Sequence, residues 1–94
     1  MAEALAELRE ALRQARDCDN ERVADVLATL GVTLTYAGRT GPGLRRLDEA
    51  MALAPRWARP RILLRRGHAL LLLGRYDRAL ADFNTAVRGS RQAG

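Results

Sequence analysis

Few side chains in this sequence could do chemistry on their own. There is one histidine, His68, and one cysteine, Cys18. Nucleophilic catalysis by a cysteine needs a base within hydrogen-bond reach, and these two residues stand in separate predicted elements. Cys18 also lies between Asp17 and Asp19, and acidic neighbours disfavour the thiolate that does the chemistry. Asp17-Cys18-Asp19 resembles the opening of a calcium loop, but the glycine and closing glutamate are missing at the required spacing. It reads instead as an acidic turn that caps a helix. His68 has no second metal ligand near it. Gly38, Gly41 and Gly43 precede no lysine, so they do not form a phosphate-cradling loop. The expectation is a chain with no catalysis, no metal and no cofactor.

Arginine is the more informative residue. All 16 basic residues are arginine, and none is lysine. Arginine presents a planar fork suited to carboxylate and phosphate, although the codon bias of a GC-rich genome is the simpler account of that uniformity. The charge is uneven. Residues 1–25 carry four arginines against seven acids, a net −3, and residues 26–94 carry twelve against four, a net +8. Arg56, Arg59, Arg61, Arg65 and Arg66 make a local basic cluster. Such clusters can bind phosphate backbones, so a nucleic acid or another polyanion is the alternative partner. Against that reading, aromatics for base stacking are 4% of the chain and the first quarter is acidic.

The elements that would position these groups are helices. From Leu63 to Ala86 two apolar patterns at steps of three and four flank Gly74-Arg75, and that period marks one face of a helix. Gly67 and Ala79 sit mid-pattern. Glycine costs about 1 kcal/mol in a helix interior relative to alanine, so Gly67 predicts a close helix–helix contact. The pattern recurs upstream. Gly31 corresponds to Gly67, Leu34 to Leu70, Gly38-Arg39 to Gly74-Arg75, Leu44 to Leu80, Leu47 to Phe83, and Ala50-Met51 to Ala86-Val87. A period of 20–50 residues is the mark of a repeat array.

Both copies resemble the tetratricopeptide repeat (TPR). Copy two carries its pattern at Leu63, Gly67, Leu70, Gly74, Tyr76, Asp77, Ala79, Phe83 and Ala86; copy one carries it at Leu27, Leu30-Gly31, Leu34, Gly38, Ala50 and Pro55. There are departures. Gly43 beside Pro42 takes the small-residue position of the second helix in copy one. Arg66 stands where the family has leucine. The link near Trp57-Ala58 is two residues longer than the family period of about 34.

The resemblance implies an all-α fold of about five helices in antiparallel hairpins, stacked as a right-handed TPR-like solenoid. The whole of 1–94 is read as one domain, with 2–20 as a half repeat or capping helix, 21–55 as repeat one, 58–88 as repeat two and 89–94 as a polar tail. Asp19 or Asn20 should cap the helix over 21–37, Gly38 and Gly74 should end helices, Pro55 should stop the next one, and Trp57 should pack over the hairpin joint. The resemblance also implies a concave groove lined by the first helix of each repeat. Its positions fall on Asp25, Ala28, Thr29, Val32, Thr35 and Tyr36 in copy one. In copy two they fall on Arg61, Leu64, Arg65, His68, Leu71 and Leu72. Arg61, Arg65 and His68 recur at one helical face. They would hold an acidic group of a partner peptide or helix, or else pair with Asp and Glu of the neighbouring repeat.

Leu71 and Leu72 would then be exposed apolar residues, which usually mark interfaces. Leu80, Phe83 and Val87 of the last helix have no following helix to cover them. Arrays normally need about three repeats to bury a continuous core. A homo-oligomer through the C-terminal helix, or a place in a longer array, is therefore expected. The N-terminus lacks the basic start of a signal peptide, no apolar run is long enough for a membrane span, and a lone cysteine fits a reducing compartment. The expected setting is cytoplasmic. The expected role is a non-catalytic protein-binding scaffold.

Overall fold

A computed structural model describes residues 1–16 and 19–93. Five α-helices carry nearly all of them: α1 (Ala2–Ala15), α2 (Asn20–Tyr36), α3 (Thr40–Leu53), α4 (Arg59–Leu72) and α5 (Tyr76–Ala93), with a short 3₁₀ turn at Arg56–Ala58 before α4. The described residues contain no strand. None of the helices is long and apolar enough to cross a membrane. The part of the predicted acidic turn at Asp17-Cys18 lies outside the described residues.

The helix ends follow from local chemistry. Asp19 is the N-cap of α2; its Oδ1 accepts from the Arg22 backbone N–H at 2.9 Å, satisfying one of the four donors a helix leaves open. Gly38 and Gly74 have φ of +82° and +75°, a left-handed conformation that glycine adopts without Cβ strain. After α2, Gly38 N–H donates to Thr35 O at 3.0 Å and Arg39 N–H to Leu34 O at 2.9 Å. After α4, Gly74 N–H donates to Leu71 O at 3.0 Å and Arg75 N–H to Leu70 O at 2.9 Å. Both ends are therefore Schellman motifs, so the repeated Gly-Arg dipeptide performs the same turn twice. Pro42 sits in the first turn of α3, where its missing N–H costs nothing, and Pro55 follows the end of that helix.

The helices pair as two antiparallel hairpins. Gly31 faces Leu47 while Thr35 faces Gly43, and Pro60 faces Gly89 while Gly67 faces Phe83. In each pair one number rises as the other falls. The contacts are close enough to exclude a methyl group. A Cβ on Gly31 would stand 2.6 Å from Leu47 Cγ and 2.7 Å from Gly43 O; one on Gly43 would stand 2.8 Å from Gly31 O. Here two glycines form one reciprocal notch, so Gly43 is part of the α2–α3 contact. A Cβ on Gly67 would stand 2.5 Å from Phe83 Cε1, so in α4–α5 a ring fills the notch instead. The core is built from small and branched aliphatics, with Leu27, Leu30, Leu47, Ile62 and Leu70 its largest fully buried side chains. Leu5, Leu12 and Ala15 of α1 close it at one end.

Two expectations need correction. Residues 89–94 were expected to be a tail, yet α5 continues through Gly89 to Ala93. Gly89 does not break the helix because it packs on Pro60, whose Cγ would lie 3.0 Å from an added Cβ; Arg91, Gln92 and Ala93 are all good helix formers. Trp57 does not cover the hairpin joint. It sits in the 3₁₀ turn, 58% exposed, with the Arg61 guanidinium 5.6 Å above its ring, a cation–π contact.

Candidate functional site

The candidate site is the face shared by α2 and α4. These helices run side by side in the same direction: Arg61 reaches Asp25, and Arg65 reaches Thr29, both across a separation of 36 residues. The internal period of the sequence is thus the contact register of the two helices.

At one end of the face a charged ladder ties α4 to α2. Arg61 Nη2 donates to Glu21 Oε1 at 3.2 Å and to Asp25 Oδ2 at 3.2 Å. Arg65 Nη1 donates to Asp25 O at 3.2 Å and to Thr29 Oγ1 at 2.5 Å. The Thr29 hydroxyl in turn donates to Asp25 O at 3.0 Å. Arg61 therefore pairs with acids of α2, the second of the two roles anticipated for these residues, whereas Arg65 is held by a backbone carbonyl and a hydroxyl. Arg61 and its acids are half exposed, and exposed pairs contribute only about 0–1 kcal/mol. A ligand carboxylate could compete for Arg61 at little cost.

Beyond the ladder, Thr29, Val32, Thr33, Arg65 and His68 line a shallow concavity of about 260 Å³. The far end is aromatic: Tyr36 and His68 meet edge to face, with centroids 6.1 Å apart and planes at 86°. Leu64, Leu71 and Leu72 stand 44–48% exposed on the same helix as His68. Leu64 and Leu72 lie one turn either side of it. Of the twelve groove positions read from the sequence, seven (Asp25, Thr29, Val32, Tyr36, Arg61, Arg65 and His68) take part in these contacts or line the concavity, and Leu64, Leu71 and Leu72 are exposed on α4.

Ala28 and Thr35 do not reach the face. Ala28 is fully buried, and Thr35 is 6% exposed with its hydroxyl on Gly31 O at 2.9 Å. Thr35 Oγ1 also fills the space that a Cβ on Gly43 would occupy. The close approach that Gly31 and Gly43 permit draws this side of α2 into the α3 contact.

The sequence places Arg66 in the basic cluster and at a position where the family has leucine, and offers it no partner within the chain. Arg66 is a three-helix clamp. Its Nε and Nη2 donate to Asp82 Oδ2 and Oδ1 of α5 at 2.9 and 3.0 Å, and its Nη1 donates to Asp48 Oδ1 of α3 at 3.2 Å. The Asp82 hydrogen bonds raise the guanidinium pKa above its ordinary value, against the opposing effect of burial. The only signal in the sequence was a charged residue at an apolar position of a helical stripe, sixteen residues before an aspartate in the same condition. Of the basic cluster, Arg61 and Arg66 pair with carboxylates and Arg65 with a backbone carbonyl and a hydroxyl, whereas Arg56 and Arg59 have no ion pair among the described residues.

Comparison with protein-family models, with curated proteins and with solved structures gives no match.

Proposed function

We infer that this chain is a non-catalytic protein-binding module of TPR-like solenoid form, and that a partner peptide or helix lies along the α2–α4 face. The observation that supports this most is the exposed leucine row on α4, Leu64, Leu71 and Leu72, beside a concavity with polar and aromatic ends. Exposed apolar clusters rimmed by polar groups mark interaction surfaces, and a few buried apolar or aromatic anchors carry most of the affinity in such contacts. The ladder at Arg61 sets the end where an acidic residue of the partner would sit. Tyr36 and His68 mark the other end. This setting favours a peptide over a polyanion, because Arg61 is already paired with Glu21 and Asp25 and Arg65 is already held by the Asp25 carbonyl and the Thr29 hydroxyl.

A peptide selected against the full chain from a displayed library provides the test. Its addition should shift backbone amide resonances within 25–36 and 61–72. Leu71→Asp/Leu72→Asp should weaken binding by about 2 kcal/mol or more, the loss typical of a hot spot, and Arg61→Glu/Arg65→Glu by a smaller amount. Shifts confined to other helices, or binding indifferent to both double variants, would remove this face from consideration.

The outer stripe of α5 belongs to the same reading. Tyr76, Leu80 and Val87 are 48–66% exposed, whereas the corresponding Leu44 and Met51 of α3 are packed against the core. The difference is that α3 packs on both α2 and α4, whereas among the described residues α4 is the main helix packed on α5. We propose self-association through that stripe. Light scattering at micromolar concentration should give a mass above the monomer, and Leu80→Glu/Val87→Glu should restore the monomer with an unchanged far-ultraviolet circular dichroism spectrum. A monomeric wild-type chain would contradict it.

A further inference from the structure

A second concavity lies on the opposite side of α4 from the α2 contact, and its ligand would be different in kind. It is a cleft of about 640 Å³ between the end of α3, the 3₁₀ turn, the start of α4 and the end of α5. Ligand pockets typically hold about 300–1,000 Å³ and are mostly apolar with a few polar groups. Met51, Trp57, Pro60 and Leu63 give this one an apolar lining. Gly89 forms part of the wall by seating α5 directly on Pro60. The cleft therefore exists because α5 runs on past Gly89 and because the 3₁₀ turn swings Trp57 and Arg56 out beside it.

The lining also carries Arg56 and Arg59. Neither has an ion pair among the described residues, whereas Arg61 and Arg66 of the cluster are paired with carboxylates and Arg65 is held by the Asp25 carbonyl and the Thr29 hydroxyl. An apolar cleft lined in part by two arginines with no ion pair among the described residues is complementary to a molecule with an apolar body and one anionic head. The body would rest against Trp57, Pro60, Leu63 and Met51, and the head would accept charge-assisted hydrogen bonds from the arginines. Trp57 is itself held, since the Arg61 guanidinium lies over its ring while pairing with Glu21 and Asp25.

We propose that this cleft is a binding site for a free amphiphilic carboxylate of the medium-chain fatty acid type. The site neither overlaps the α2–α4 face nor depends on a partner protein.

Trp57 is the single tryptophan of the chain, so its emission reports directly on the cleft. Titrating the full chain with dodecanoate below its micelle-forming concentration should shift that emission to the blue and saturate at one molecule per chain. Dodecanol and dodecyltrimethylammonium should bind at least about tenfold more weakly, as should dodecanoate to Arg56→Gln/Arg59→Gln; tenfold corresponds to about 1.4 kcal/mol. Both arginines are exposed, so this variant should keep the wild-type circular dichroism spectrum, and either single substitution should give an intermediate loss. Arg56→Glu/Arg59→Glu should reverse the order and prefer the cation. The proposal is overturned by an emission that does not saturate, by equal affinity for the three dodecyl compounds, or by an affinity unchanged in the Gln variant. A response only to phosphatidylglycerol vesicles, with none to free dodecanoate, would also overturn it.

Discussion

Gly31→Ala should destabilise the chain by about 2 kcal/mol, the net of roughly 3 kcal/mol of overpacking and about 1 kcal/mol regained in helix propensity. For a domain of this size that lowers Tm by roughly 10 °C. The reason is what the new methyl would meet. Leu47 Cγ and the backbone oxygen of Gly43 stand 2.6 and 2.7 Å from it, and a backbone carbonyl in a packed helix cannot rotate aside. Relief would require α2 and α3 to separate along their length, and close-packed interiors transmit such strain rather than absorb it. Gly67→Ala is the matched comparison. Its nearest neighbour, at 2.5 Å, is the edge of the Phe83 ring, which is only half buried and can swing outward. That substitution should cost under about 1 kcal/mol, because the propensity gain offsets most of the crowding. Thermal and urea denaturation of the two variants beside the wild type measure the difference. Equal stability of Gly31→Ala and wild type would show that the first hairpin does not close as described.

Arg66→Leu should cost about 3 kcal/mol. The substitution removes both hydrogen bonds to Asp82, which is 8% exposed. Breaking a buried pair from one side leaves the other charge without compensation, a loss of roughly 3–5 kcal/mol. The lower end applies because the Arg66 side chain retains 26% exposure and water can reach part of the gap. The Asp48 pair adds little, since that carboxylate is 66% exposed and exposed pairs contribute about 0–1 kcal/mol. Adding Asp82→Leu to Arg66→Leu should recover the loss to within about 1 kcal/mol of wild type, because apolar groups of similar volume often replace a buried ion pair without cost. The four chains form a double-mutant cycle in which the coupling is read directly. An Arg66→Leu chain as stable as wild type would reduce the clamp to a surface contact.

Much of the helical frame could be read from local residues. The Gly-Arg dipeptides, Asp19 and Pro55 act within a few residues of themselves, and each lies where the sequence placed it. The 36-residue period was equally legible, and it reappears as the spacing of the Asp25–Arg61 and Thr29–Arg65 contacts. What the sequence concealed depends on what a residue meets across the fold. Gly89 has the look of a helix terminator until Pro60 is seen against it. Arg66 looks like an error in an apolar stripe until Asp82, equally out of place on α5, is found opposite. Ala28 and Thr35 share the helical face of Thr29 and Val32 closely enough to be counted with them. How far α2 turns toward α3 decides which of the four stay exposed, and the Gly31–Gly43 notch sets that rotation. The exposed leucines of α4 were visible as an apolar excess. Their place beside Tyr36 and His68 required the packing of α2 on α4.

That packing is what the functional reading stands on, and the rings at its end can report it without labels. His68 is the single histidine and Phe83 the single phenylalanine, so their proton resonances are unambiguous. A nuclear Overhauser spectrum of the full chain in solution should show cross-peaks between the Tyr36 and His68 rings, whose centroids lie 6.1 Å apart. It should also show peaks from the Gly67 α-protons to the Phe83 ring. Phe83 peaks without any between Tyr36 and His68 would mean that the hairpins form but α2 and α4 do not share a face, and the proposed binding surface would not exist.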